Sequence, residues 1–80
     1  MPDEFIFGTR DEALLVAIRK QWRPAGRASW VKPDGTFVLL VSFPEQLMAI
    51  QKGERVHVIG SLDAKCARLL KRKGAVVVWT

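Results

Sequence analysis

Short apolar runs bounded by glycine and proline alternate along this chain with stretches of helical period. In 80 residues that alternation leaves room for one small layered domain, residues 1–80. Glu4–Phe7 is an apolar run closed by Gly8 and reads as a first strand. Thr9-Arg10-Asp11-Glu12 then has the spacing of a capping box, a hydroxyl for the orphan amide three residues on and a carboxylate reaching back. Leu14, Leu15, Ile18 and Trp22 follow at i, i+1, i+4 and i+8 as the apolar face of a helix. Acids occupy its first turn and Arg19, Lys20 and Arg23 its last, as the helix dipole favours. Pro24 and Gly26 are its expected stop.

Arg27–Lys32 reads as a second strand. Pro33-Asp34-Gly35 supplies a preset φ, a side chain that closes its own turn and a residue at ease with positive φ, so Thr36–Val41 returns as the other arm of a hairpin. Pro44-Glu45 opens a short helix with Leu47, Met48 and Ile50 as its expected buried side, capped by Ser42 or Phe43 and ended by Gly53. Arg55–Ile59 is a fourth strand. Ser61 is the expected cap of a third helix with Leu62, Cys66, Leu69 and Leu70 inward and Gly74 at its end. Ala75–Trp79 is a last, valine-rich strand.

The order βαββαβαβ points to an α+β fold. Its first six elements match a ferredoxin-like split-βαβ sandwich, extended by a C-terminal αβ unit, with a mixed sheet and helices on one face. The last strand–helix–strand unit is expected to cross over and leave its strands parallel. Placed beside the fourth strand, Val76-Val77-Val78 would form a bare sheet edge, which calls for a different order or for cover by another chain.

Composition narrows the function. One cysteine, Cys66, excludes an internal disulfide, and with a single histidine no Cys/His zinc site can form within one chain. No metal or cofactor is expected. The acidic start MPDEFIFG lacks the basic region of a secretory signal, and no apolar run approaches a membrane span, so a cytoplasmic protein is expected. A chain this short has little left over for a deep substrate cavity, which argues against an enzyme.

Charge supplies the functional lead. The net charge is +5, yet residues 19–32 alone carry +5 and residues 61–74 carry +4, so the rest is acidic. Basic surface concentrated on a small domain is the footprint of a polyanion partner. In the third helix Lys65, Arg68 and Arg72 fall at i, i+3 and i+7 on one side, with Lys71 and Lys73 beside them. In the first basic segment Arg23, Arg27 and Lys32 accompany two tryptophans. Trp22 is expected in the core. Trp30 shares a strand face with Ala28 and Lys32 and is expected partly exposed, where it would serve as a stacking platform for bases. The expected binding set is therefore Arg23, Arg27, Trp30, Lys32, Lys65, Arg68, Lys71 and Arg72.

Other residues carry less. Phe37–Ile50, FVLLVSFPEQLMAI, resembles the third strand and second helix of RNA-recognition (RRM) domains, with Phe5-Ile6-Phe7 as their first strand. That resemblance implies base-stacking aromatics on the third strand, and this chain has Val38 and Leu40 there, so it is not assigned to the family. Gly60-Ser61 before the third helix is a possible anion seat. His57 should face the same side as Ile59 with no acid near it in sequence, and Cys66 lies on an apolar stripe. The reading is a non-catalytic nucleic-acid-binding protein, for DNA or RNA, of low sequence specificity. Its alternative is an adaptor or inhibitor, of viral or host-regulatory type, that docks on an acidic protein surface. Homodimerisation through the C-terminal strand fits either.

Overall fold

A computed structural model describes residues 4–80; the acidic start, residues 1–3, lies outside them. Six strands form one mixed sheet: β1 (Glu4–Phe7), β2 (Arg23–Gly26), β3 (Ser29–Val31), β4 (Phe37–Val41), β5 (Arg55–Val58) and β6 (Val76–Trp79). The helices are α1 (Arg10–Lys20), a 3-10 helix (Pro44–Ala49) and α2 (Ala64–Lys73). The strand order is β2-β3-β4-β1-β5-β6. Strands β4, β1, β5 and β6 are mutually parallel, while β2 and β3 pair antiparallel at one end.

The α+β class holds, but the ferredoxin-like pattern does not. That pattern needs neighbouring strands to alternate in direction, whereas β1 is parallel to both of its neighbours, β4 and β5. The cause is an extra strand. Arg23-Pro24-Ala25-Gly26 breaks the helix as its composition demands, yet it then pairs with β3 as an edge strand, a place where proline loses no ladder bond. Each added strand reverses the chain, so β4 arrives running with β1 instead of against it.

The helices also lie on both faces of the sheet, not on one. Phe5, Val41, Val56 and Val58 pack with Leu47 and Ile50 of the 3-10 helix and with Cys66 and Leu70 of α2. Ile6, Val38 and Leu40 point to the other face and pack with Ala13, Val16 and Ala17 of α1 and with Trp22 and Trp30. Sheet strands covered on both sides read as continuous apolar runs, as FVLLV of β4 does. The cover also removes the open sheet face that an RRM-like reading would require.

Helix α1 begins as expected. The Thr9 hydroxyl accepts from Glu12 N and the Glu12 carboxylate accepts from Thr9 N. It ends sooner than expected, at Lys20, because Gln21 turns left-handed with φ 62° and Trp22 N donates to Ala17 O at 2.8 Å, the closing bond of a Schellman motif. The same device closes α2 at Gly74, φ 75°, with Ala75 N donating to Leu70 O. Glycine suits that position and glutamine does not. Gln21→Gly is therefore expected to raise stability by about 1 kcal/mol, read as a higher urea midpoint; an unchanged or lower midpoint would count against this account of the cap.

The buried face of α1 is the main surprise. Ala13, Val16 and Ala17 face the sheet, while Leu15 is 68% and Ile18 71% exposed and Leu14 is only partly covered. Two apolar stripes run side by side on this helix, and the small one lets its backbone approach the sheet. Elsewhere the corrections are local. The 3-10 helix repeats every three residues, so Leu47 and Ile50 are buried together and Met48 points outward. Gln46 reaches back to accept from the amides of Ser42 and Phe43. Asp63, not Ser61, caps α2 by accepting from Cys66 N at 2.8 Å. The Gly60-Ser61 pair thus stands outside the helix terminus and loses its case as an anion seat. Leu62, Cys66, Leu69 and Leu70 do form the inward stripe, and β5 and β6 are parallel as expected.

Candidate nucleic-acid interface

The two basic segments are brought to two grooves that share no residue. The larger, about 390 Å³, lies beside α2 and is lined by Pro44, Lys65, Cys66, Arg68, Leu69 and Arg72. Three of the expected binding residues, spaced at i, i+3 and i+7, thus rim one depression. Its floor is apolar because it lies between α2 and the 3-10 helix, which pack together over the same core cluster. Lys65, Arg68 and Arg72 are solvent-exposed, so their charges are available to a ligand. Phe43, the residue before groove-lining Pro44 in the chain, leaves 64% of its surface exposed.

The smaller groove, about 280 Å³, is lined by Gln21, Arg23, Val31, Lys32, Pro33 and Gly35. Arg23 is exposed there. Lys32 is not free, because its Nζ donates to both oxygens of Glu4, at 3.0 and 3.3 Å. Arg27 sits exposed in the turn joining β2 to β3, and Lys71 is exposed on α2; neither lines a groove. Trp30 corrects the expectation outright. It shares a face with Lys32 as the alternation implies, but that face is roofed by α1 and Trp30 is only 3% exposed. It packs in the core and is closed to a base.

Beneath the smaller groove lies a buried polar cluster. Glu4 opens β1 and His57 lies in β5, two neighbouring parallel strands with Ile6 level with His57. Glu4 Oε1 and His57 Nε2 are 2.5 Å apart, both side chains are buried, and the Trp22 ring meets the imidazole edge-on at 5.2 Å. Among the described residues His57 Nδ1 has no hydrogen-bond partner. Burial alone pushes the Glu4 carboxyl up, but the hydrogen bonds and charges of His57 and Lys32 outweigh it and hold the group below its ordinary value of 4.5. Distance in sequence hid this pair, since 53 positions separate the two residues.

The sign of the pH response follows. A carboxylate lowered in the folded state stabilises the fold above its unfolded value, and that contribution is lost as pH falls through the lowered value. Glu12, Asp34 and Asp63 are lowered too, by hydrogen bonds from Thr9, Thr36 and Cys66 respectively. Stability is therefore expected to decline as pH drops below about 4.5, followed by urea midpoints, and to decline less steeply in Glu4→Gln. A flat acid limb in the wild type would contradict this.

Cys66 is buried, and desolvation followed by the nearby Asp63 charge pushes its thiol up, which makes it a poor nucleophile. Among the described residues no group of three metal-ligating side chains gathers, and no helix is long and apolar enough to cross a membrane. No protein-family model matches the chain, and no curated protein or solved structure shows detectable similarity to it.

Proposed function

We propose that this chain is a nucleic-acid-binding module that holds phosphates non-catalytically in the α2 groove, with little sequence discrimination. The observation behind this reading is the convergence of Lys65, Arg68 and Arg72 on one groove with an apolar floor. Three exposed cations along one helix side track a run of phosphates, and they outnumber the two carboxylates, Asp63 and Glu45, whose charges reach the groove at Cys66. Phe43, exposed and one residue before groove-lining Pro44, favours a single strand, whose unpaired bases have faces free to stack on an aromatic ring. Arg23, Arg27 and Lys71 add long-range attraction from outside the groove. A cytoplasmic setting accompanies the proposal, with a single buried thiol and no disulfide.

A docking site for an acidic protein surface is the second reading, favoured by the apolar contribution of Pro44 and Leu69 to the same groove. Competition separates the two. Binding of a labelled single-stranded oligonucleotide should resist an excess of polyglutamate, and Phe43→Ala should weaken it roughly tenfold through lost stacking. Full displacement by polyglutamate together with an unaffected Phe43→Ala variant would favour the acidic protein partner and overturn the first reading.

A further inference from the structure

We propose that the open edge of β6 is an isologous interface, where a second copy of this chain adds its own β6 antiparallel and continues the sheet. The two edges of the sheet are built differently. Edge β2 carries Pro24 between Arg23 and Arg27, features that discourage another strand from pairing. Edge β6 carries no such guard of its own: residues 75–80 contain neither charge nor proline, Val76 is 45% exposed and Trp79 61%, and the one cation that reaches it among the described contacts, Arg19 of α1, bonds Thr80 at its end.

The backbone phase selects the register. Val76 N donates to Glu54 O at 2.9 Å and Thr80 N to Val58 O at 3.0 Å, both toward β5. Amides alternate along a strand, so the N–H and C=O groups of Val77 and Trp79 point to the open edge. In an antiparallel ladder, residues whose groups point inward exchange both bonds as a pair. A two-fold axis at Val78 satisfies this twice, with Val77 opposite Trp79 of the copy and Trp79 opposite Val77 of the copy.

Side chains agree with that register. Val77 packs on the α2 side of the sheet, and Trp79, two residues on, shares that side. The exposed indole would therefore cover Val77 of the copy, an aromatic–β-branched cross-strand pair. Val76 meets Thr80 of the copy on the α1 side. Charge is complementary as well. Helix α2 touches β6 as well as the 3-10 helix, and its Ala64, Ala67 and Lys71 lie on the flank turned away from the groove. The two-fold sets the α2 helices antiparallel, so the Asp63 end of one approaches the Lys71 end of the other. This geometry favours a second copy over an unrelated strand, and it does not depend on the identity of the ligand.

Light scattering tests the proposal. The wild type should weigh twice the 9.0 kDa of one chain at high micromolar concentration. Trp79→Pro removes an N–H that points to the open edge and away from β5, so it should give a folded monomer by circular dichroism. In a Cys66→Ser background, Val78→Cys should form an interchain disulfide under oxidised glutathione, since non-hydrogen-bonded pairs bring Cα atoms to about 4.5 Å. Val76→Cys should not, because it faces Thr80 of the copy. A monomeric wild type would overturn the proposal. So would a dimer that survives Trp79→Pro, or one dissolved by Leu15→Lys with Ile18→Lys but not by Trp79→Pro. Cross-linking at Val76→Cys as fast as at Val78→Cys would overturn the register.

Discussion

Replacing Glu4 by Ala is expected to destabilise the fold by about 3–5 kcal/mol, the range for breaking a buried ion pair from one side. The Glu4 carboxylate serves two cationic or potentially cationic partners, His57 at 2.5 Å and Lys32 at 3.0 Å, and both Glu4 and His57 are nearly sealed from solvent. Without it, His57 would have no partner among the described residues on either ring nitrogen, since Nδ1 already lacks one there. A chain of this length has roughly 4–12 kcal/mol of stability in all, so Glu4→Ala should be close to unfolded. The penalty arises from the groups left behind. Glu4→Leu combined with His57→Leu should therefore recover much of the loss, because both buried polar ends disappear together. Urea denaturation of the two variants checks this. A cost for Glu4→Ala below about 1 kcal/mol, the scale of a surface pair, would mean that the cluster is solvated and structurally minor.

Reversing Lys65, Arg68 and Arg72 to Glu is expected to cut oligonucleotide affinity by roughly a hundredfold near 0.1 M salt, the counterion-release contribution of three phosphate contacts on a single strand. All three side chains are exposed, and α2 is held at its ends by other residues, the Asp63 cap and the Gly74 stop. The denaturation midpoint should thus change little. The loss should be similar across oligonucleotide sequences, because phosphate contacts carry no base information. The same reversal at Arg23 and Arg27 should weaken binding much less, since these residues lie outside the α2 groove.

Local chemistry was legible in the sequence wherever neighbouring residues decide it. The Thr9–Glu12 box, the Pro33-Asp34-Gly35 turn with Asp34 accepting from Thr36 N, the Gly74 stop and the inward stripe of α2 all depend on residues a few positions apart. The groove cations were legible for the same reason, being set by helical spacing. What failed depends on distance along the chain. Arg23–Gly26 has the composition of a helix stop, and only a partner strand makes it a strand. That one element reverses the direction of the hairpin, makes β4 parallel to β1 and carries α1 to the opposite face from α2. The burial of Trp30 and the outward turn of Leu15 and Ile18 both follow from where α1 then lies. Glu4 and His57 each alternated correctly in their strands, but their meeting required β1 and β5 to be neighbours. Phe43 is legible as a cap, because a residue before Pro44 reads as a boundary, but its exposure is a property of the packed 3-10 helix.

The salt dependence of oligonucleotide binding tests the central claim most directly. For the wild type, the logarithm of the association constant should fall linearly with the logarithm of salt concentration. Its slope should be at least about −2, from three phosphate contacts at roughly −0.7 each on a single strand. Neutralising Lys65, Arg68 and Arg72 to Gln should make that slope shallower by about the same amount. A wild-type slope near zero, or one that those three substitutions leave unchanged, would contradict the assignment of the α2 groove as a phosphate-binding site.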